Sequence, residues 1–234
     1  MYFDETVSVR PSLLVRGLIA VLLIAILVTT GLLVRAVLFQ ARTPRTAAER
    51  AIFDAEVAVK KDPRKAEARA DLGVAYAMSG NYNKAIRELN VALRLDPKRA
   101  RTYYVLGLVY RLKGDLPNAV RYLERSVSFE EEYADFYSKS YYELGHVYFE
   151  QKKYAKAVKA FEQSKANAPM AGDVLFDLAQ AYEKIGRKED AIDAYWGSLE
   201  YDPENKSAIE ALRHLGATEA LRNLGIPVEE PKKK

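Results

Sequence analysis

Few residues of this chain have the types and the spacing that catalysis or metal binding would require. The 234-residue sequence has no cysteine, and its two histidines, His146 and His214, lie far apart. It contains no phosphate-binding loop, no G-x-S-x-G or H-E-x-x-H motif and no dinucleotide fingerprint. The lack of cysteine excludes disulfides, thiolate metal sites and covalent haem attachment. We therefore expect no enzymatic activity, metal site, cofactor or small-molecule substrate.

Large and small apolar residues, by contrast, recur at a fixed spacing. A Leu-Gly pair, or Leu-Ala in the last copy, begins at Leu72, Leu106, Leu144 and Leu178, at intervals of 34, 38 and 34 residues. A tyrosine follows each leucine, at Tyr76, Tyr110, Tyr148 and Tyr182. A period of about 34 residues indicates a stack of helical hairpins. Such stacks bind other chains, and they seldom catalyse reactions.

Small residues in each copy allow the two helices of a hairpin to approach closely, while large neighbours fill the remaining space. The small residues are Gly73, Gly107, Gly145 and Ala179 in the first helix, and Ala85, Ala119, Ala157 and Ala191 in the second. One such hairpin cannot bury its apolar face alone, so its stability depends on its neighbours.

Glycine and proline predict where the helices end. Glycine suits a helix end that requires a positive φ, and proline cannot continue a helix without the loss of a hydrogen bond. The predicted ends lie at Gly80, Gly114 and Gly186 for first helices, and before Pro97, Pro169 and Pro203 for second helices.

In period and residue types, the four copies resemble the tetratricopeptide repeat. The resemblance implies an all-α, right-handed solenoid of helical hairpins, with repeats over 66–99, 100–137, 138–171 and 172–205. Residues 46–65 match the second helix of a repeat and predict a half-repeat cap, whose N-terminus carries a capping box of Thr46 and Glu49. Residues 206–226 predict C-terminal capping helices, and residues 227–234 a disordered basic tail.

The longer interval falls after the second copy. This copy has Glu131 where the other copies have proline, and four additional residues lie near Tyr133 to Tyr137. We expect an extended turn, with a helix that is longer by about one turn. Its aromatic residues Tyr133, Phe136 and Tyr137 either pack under the longer hairpin or form a second contact site.

The N-terminal part predicts a retained membrane anchor, with a tail over 1–12, a transmembrane helix over 13–39 and a linker over 40–45. Residues 17–34 carry no charge and span about 27 Å as a helix, close to the hydrocarbon thickness of a bilayer. Counting Lys and Arg on each side favours a cytoplasmic array. The layout resembles bacterial membrane-anchored repeat proteins and favours export. We expect a single-pass bacterial cell membrane protein with an extracytoplasmic array, the cytoplasmic orientation being the alternative.

In the tetratricopeptide family the first helix of each repeat lines a concave surface. Transferred to this chain, the lining positions predict a binding groove formed by Tyr104, Leu108, Tyr142, His146, Phe149, Phe176 and Gln180. Exposed aromatic residues in a concavity suggest a protein or peptide partner. Alternatively, some of these rings pack between repeats. Most of the formal net charge of +4 belongs to Lys232–Lys234, so the array is near neutral and we expect no nucleic-acid partner.

Trp196, the only tryptophan, occupies a position that is polar in the other copies. Its equivalents are Asn90, Glu124 and Glu162, which indicates a position that normally faces water. Either the segment after Lys206 folds back over the ring, or the ring forms a second contact site for a partner or another copy of the chain.

The function most consistent with these patterns is a membrane-anchored protein-interaction scaffold, an adaptor or assembly factor that holds a partner segment near the bilayer. The alternative is a structural subunit of a larger membrane complex or self-assembling array, so oligomerisation is possible.

Overall fold

The computed structural model describes residues 13–42, 46–129, 134–167, 172–223 and 225. Within these ranges the chain is all-α. The helices are α1 (Leu13–Arg42), α2 (Ala47–Lys61), α3 (Ala66–Met78), α4 (Tyr82–Leu95), α5 (Ala100–Leu112), α6 (Leu116–Val127), α7 (Ala134–Glu150), α8 (Tyr154–Asn167), α9 (Gly172–Lys184), α10 (Lys188–Tyr201), α11 (Lys206–His214) and α12 (Thr218–Asn223). The predictions for the two tails, for Tyr133, Glu131 and Pro169 concern residues outside the described ranges.

Four helical hairpins, α3–α4, α5–α6, α7–α8 and α9–α10, form a solenoid. In the second hairpin a Cβ added to Gly107 would lie 2.5 Å from Cγ of Leu123, so only hydrogen fits there. The equivalent Gly73 lies against Leu89 at the same distance, and Gly145 lies against Phe161. The predicted small-to-large packing is confirmed, and it sets the helix separation within these hairpins.

The predicted helix ends are also confirmed at the first helices. Gly80, Gly114 and Gly186 adopt φ values of 76°, 76° and 77°. In the third repeat Lys152 takes this place with a φ of 59°, a conformation that is costly for a side chain with a Cβ. The backbone hydrogen bonds are nevertheless the same, because Lys153 N–H donates to Tyr148 O (2.8 Å) as Asn81 N–H donates to Tyr76 O (2.8 Å).

The additional turn predicted from the longer interval is part of α7. This helix has 17 residues, whereas α3, α5 and α9 have 13 each. The additional turn therefore belongs to the first helix of the third repeat, although the sequence-based division placed residues up to 137 in the second. Phe136 and Tyr137 lie on this turn.

Tyrosines of the first helices connect successive repeats. Three of the four repeat tyrosines donate the hydroxyl to a glutamate of the preceding second helix, whereas Tyr110 stacks on Tyr122 of its own repeat. The three bonds are Tyr76 to Glu56 (2.7 Å), Tyr148 to Glu124 (3.0 Å) and Tyr182 to Glu162 (2.7 Å). Burial, together with the hydrogen bond to the glutamate, raises the pKa of each of the three phenols to about 12, so they remain donors at physiological pH.

Helix α2 takes the place of a second helix that has no first helix before it. Its Ala55 and Val59 are buried against Ala68 and Leu72 of α3. Its Glu56 accepts the Tyr76 hydroxyl as the glutamates of complete repeats do. The capping box is present at its N-terminus, where Glu49 N–H donates to Thr46 Oγ1 (3.1 Å) and Thr46 N–H donates to Glu49 Oε2 (3.2 Å).

Helix α1 lies in a separate compact unit of the chain. Among the described helices it alone is long and apolar enough to cross a membrane, over Gly17–Arg35, where its side chains are exposed. Thr29 and Thr30 satisfy their hydroxyls within the helix, by donating to Ala25 O (2.9 Å) and Ile26 O (2.7 Å). Such back-bonding allows a hydroxyl to sit in an apolar environment.

We predict that Lys152→Gly stabilises the array by about 0.5–1 kcal/mol, because glycine adopts a positive φ without the steric cost that lysine carries. The free energy of unfolding, measured by chemical denaturation, checks this. Lys153→Gly is the matched control, since Lys153 has an ordinary φ and glycine should destabilise the chain there. Equal effects of the two substitutions would contradict the prediction.

Two Gly→Ala substitutions should act in opposite directions. Gly107→Ala should destabilise the chain by about 1 kcal/mol, because overpacking against Leu123 exceeds the gain in helix propensity. Gly197→Ala should stabilise it by about 1 kcal/mol, since the new Cβ would meet Leu175 at an ordinary 3.5 Å. Thermal unfolding of both variants compares them, and a stabilising Gly107→Ala would refute the close-approach argument.

Candidate functional site

The first helices of neighbouring repeats contact one another directly, α3 with α5 and α5 with α7. Contact between successive first helices is expected on the inner side of a curved stack. We call the side of α5, α7 and α9 predicted to line the groove the inner face, and the seven predicted groove residues lie on these three helices. The structure thus places these residues on three neighbouring helices.

A polar contact bridges each pair of neighbouring first helices. Arg101 of α5 pairs with Asp71 of α3 at 3.4 Å. Arg111 near the end of α5 pairs with Glu143 of α7 at 3.1 Å, and with Glu150 at 3.7 Å. These pairs are partly exposed, so each adds little stability. Their effect is to fix the orientation of the side chains on the inner face.

A three-residue polar cluster joins α7 to α9. The Tyr142 hydroxyl donates to Asp177 Oδ2 at 2.7 Å, and His146 Nε2 lies 3.3 Å from the same oxygen. The His146 ring meets the Tyr142 ring edge-on, with centroids 4.5 Å apart, and also meets Phe161 edge-on at 5.4 Å. The histidine is therefore held by an aromatic corner and a carboxylate.

Burial dominates the electrostatics of this region. It raises the pKa of the Asp177 carboxyl, although the Tyr142 hydrogen bond and the nearby His146 act in the opposite direction. It also raises the pKa of Glu143, against the lowering effect of Arg111. The pKa of Tyr142 is raised by burial and by its bond to Asp177, and burial raises that of Tyr104 to about 12. The phenols remain neutral hydrogen-bond donors, and the acids lie in a partly dry environment.

The aromatic residues predicted for the groove are half-buried, because each also packs on a neighbouring ring. Tyr104 lies 5.8 Å from Phe136, Phe149 lies 5.1 Å from Tyr154 and Phe176 lies 5.5 Å from Tyr195, measured between ring centroids. Leu108 and Gln180 are half-buried as well. The alternative that some rings pack between repeats applies to Tyr104, whereas Phe149 and Phe176 pack on the second helix of their own repeat. Each ring remains partly exposed.

The proposed second contact site does not assemble as one surface. Tyr137 is buried, at 9% exposure, with its ring edge-on to Tyr141, so packing explains it. Phe136 is half-buried against Tyr104 and below the Lys139 ammonium group. Tyr133 lies outside the described residues. The aromatic turn is therefore mainly a packing feature where it is described.

Trp196 is half-buried beside the C-terminal helices. It lines an open cavity of about 500 Å³ together with Ile192, Asp193 and residues from Gly216 to Asn223. The C-terminal segment thus folds back next to the ring, as the simpler expectation stated. Trp196 nevertheless remains partly accessible through this cavity.

The polar partners Asp177, Glu143 and Arg111 were missing from the predicted groove set. The spacing rule that selected the aromatic residues also selects them, since they occupy lining positions of their own first helices. Their omission came from the assumption that charged residues on helices are solvated. Only the structure shows that they pair across helices.

Three family models match the chain. A model described as Tetratricopeptide repeat matches residues 98–170, another with the same description matches residues 142–205, and a model described as TPR repeat matches residues 76–114. Together with the observed hairpins, these matches decide the family. The chain is a tetratricopeptide repeat protein. No curated protein sequence matches it.

Solved tetratricopeptide structures share the fold. A crystal structure of MamA is 27% identical, covers 67% of this chain and 89% of its own, and has a TM-score of 0.59. PilF of Pseudomonas aeruginosa is 22% identical, with coverage of 76% and 81% and a TM-score of 0.65. YrrB, described as a TPR protein with an unusual peptide-binding site, is 21% identical, with coverage of 71% and 84% and a TM-score of 0.58. At this coarse level, the family supports a protein-interaction scaffold.

We predict that the stability of the tetratricopeptide array depends on pH through Asp177. A carboxyl whose pKa is raised on folding contributes most stability when it is protonated, and that contribution is lost as pH rises through the folded pKa. Asp177→Asn keeps an acceptor for Tyr142 but removes this titration. The free energy of unfolding of the variant, minus that of the wild type, should therefore increase as pH rises from acidic to neutral.

Denaturation over a pH series checks this, with Asp193→Asn as the control because Asp193 is an exposed aspartate on α10. Parallel pH dependence of the two variants would show that burial of Asp177 is not the cause.

Proposed function

We propose that this protein is a membrane-anchored interaction scaffold, an adaptor or assembly factor whose inner face binds a segment of a partner protein. The observation that carries the proposal is the assembly of all seven predicted groove residues on three neighbouring first helices. Aromatic rings and one aliphatic side chain lie on the same helices as the polar cluster of Tyr142, His146 and Asp177. Such mixed surfaces bind peptides by burying a few apolar side chains, while polar groups set the orientation.

The inner face is already ordered before a partner binds. Its rings pack on neighbours, and its charged groups are paired across helices, as Arg111 is with Glu143 and Tyr142 is with Asp177. Preorganised side chains lose little conformational entropy on binding. The peptide-binding site in the description of YrrB supports this use of the fold, although at 21% identity the likeness itself extends to the fold alone.

The anchor in this proposal is α1. Its apolar run over Gly17–Arg35 has the length of a membrane span, and its side chains are exposed to the surroundings rather than buried in protein. We propose a single-pass protein of a bacterial cell membrane, with the array on the extracytoplasmic side; the cytoplasmic orientation is the alternative. In either case the inner face would meet its partner near the bilayer.

A structural subunit of a larger complex, or a self-assembling array, is the second candidate. It is supported by exposed apolar side chains at the ends of two first helices, Met78 (80% exposed) and Leu112 (58% exposed). These residues lie outside the predicted groove set, so contacts made there would leave the inner face free.

A charge placed on the inner face should abolish partner binding. Leu108→Glu introduces a carboxylate among the aromatic edges, and we expect it to weaken recovery of co-purifying partners from crosslinked native membranes by about tenfold or more. The matched control is Leu95→Glu, the same substitution at an exposed position on a second helix. Recovery is measured by quantitative mass spectrometry.

Equal recovery with both variants would exclude the inner face as the binding site. Loss with Leu112→Glu but not with Leu108→Glu would favour the structural-subunit alternative. Circular dichroism of each variant establishes that the helical fold is retained.

A further inference from the structure

The outer surface of the second helices changes its charge along the array. Because Glu56 of α2 bonds to Tyr76 as Glu124 bonds to Tyr148, α2 is aligned with the complete second helices. One exposed position then reads, in chain order, Phe53, Arg87, Arg121, Lys159 and Asp193. The position is apolar in the half-repeat, basic in three repeats and acidic in the last.

The glutamates next to this surface are each engaged by another side chain. Glu88 of α4 pairs with Arg69 of α3 at 2.7 Å. Glu124 of α6 and Glu162 of α8 accept tyrosine hydroxyls from the following repeats. On α4 the cations Lys84, Arg87 and Arg94 are exposed. On α2, the exposed acid Asp54 follows Phe53 in the chain.

Helix α2 adds exposed apolar side chains to the same surface. Phe53 is 46% exposed and Val57 is 51% exposed, one turn apart, whereas Ala55 and Val59 face α3 and are buried. The exposed Lys60 lies next to them along the helix. A helix that buries one apolar stripe in protein and shows a second, flanked by lysine, resembles helices that lie in a membrane interface.

We propose that the outer face of α2 and α4 docks on the surface of an anionic lipid bilayer. We call this outer face the basic face, and define it as Phe53, Val57, Lys60, Lys84, Arg87 and Arg94. This inference depends on the membrane anchoring by α1 that is part of the proposed function. Only residues 43–46 separate α1 from α2, so an α1 that spans a bilayer starts α2 close to the headgroups.

The chemistry of the face favours lipid over another acidic partner. Phe53 and Val57 would enter the headgroup region, while the cations would meet lipid phosphates. A nucleic acid or an acidic protein would account for the cations but not for the apolar pair at the end next to α1. The face becomes acidic at Asp193, in the repeat farthest along the chain from α1, where lipid contact is not expected.

The absence of cysteine makes a direct test possible, because each introduced cysteine is the only labelling site. Full-length variants carry an environment-sensitive fluorophore at Leu27→Cys, Val57→Cys, Ala58→Cys, Arg87→Cys or Asp193→Cys. Each is reconstituted into vesicles of phosphatidylcholine, or of an equal mixture with phosphatidylglycerol. Contact of the label with lipid is measured as quenching of its fluorescence by lipid that carries a spin label on the headgroup. For Leu27→Cys the spin label is on the acyl chain instead.

The matched pairs determine the outcome. In the anionic vesicles we expect several-fold stronger quenching at Val57 than at Ala58, an exposed neighbour about 100° farther round α2. We also expect stronger quenching at Arg87 than at Asp193, its equivalent in the last repeat. Equal quenching within both pairs overturns the proposal. Quenching that is as strong in pure phosphatidylcholine overturns the role of anionic lipid.

The remaining outcomes are also decisive. If Leu27 is not quenched, the anchoring fails and this inference fails with it; if Leu27 alone is quenched, only this inference fails. A blue-shifted Val57 label that is not quenched by lipid, and that depends on the protein-to-lipid ratio, would show that a second copy covers the face.

Charge reversal supplies an independent measurement. In Lys84→Glu/Arg87→Glu the docking equilibrium at the Val57 label should fall by more than about tenfold, since each basic residue near an anionic surface contributes about fivefold. Asp190→Lys/Asp193→Lys reverses charge at the equivalent positions of the last repeat and should leave Val57 quenching unchanged. Similar effects of the two reversals would overturn the local contact.

Discussion

The close approach of two helices at one small residue is the constraint on which the array depends. At Gly107 the backbone of α5 comes so near Leu123 of α6 that no Cβ fits, and Gly73 and Gly145 repeat the arrangement. The two helices of each of these three hairpins are therefore held at a short, fixed distance. The remaining apolar surface of a hairpin can be buried only against the next hairpin, so the first helices are brought side by side. The inner face is a consequence of this packing.

The end of the array lacks an interaction that joins two of its repeats to their predecessors. Tyr148 and Tyr182 bond to Glu124 and Glu162 of the preceding repeat, whereas the second repeat stacks on the first with Asn90 at the glutamate position. After the fourth repeat both partners are replaced. Trp196 stands at the glutamate position, and Gly216 stands where the next tyrosine would be, and the two line a common cavity. This bond is therefore not made after the fourth repeat, where the short helices α11 and α12 cover the last core cluster instead.

The sequence predicts the framework well because each framework position has a local reason that recurs in every copy. The glycines at positive φ and the small residues at the helix crossings are such positions. Lys152 shows the limit, since the hydrogen bonds of the turn impose the same backbone on a residue that does not favour it. The additional turn could be predicted, but not that it extends α7. The cluster of Tyr142, His146 and Asp177 joins two repeats, and no single copy contains its pattern.

The state of Asp177 limits how a partner can use the inner face. Its carboxylate already accepts the Tyr142 hydroxyl and lies beside His146, in a partly buried environment that disfavours its charge. A neutral donor from a partner would add a hydrogen bond but would leave the charge of the carboxylate uncompensated. A partner segment therefore gains most affinity either by covering the aromatic rings and leaving the cluster intact, or by offering a cation that compensates the partly buried charge. Neither requires Tyr142 to move, because its hydroxyl uses one acceptor site of the carboxylate and its ring packs against His146 and Phe161.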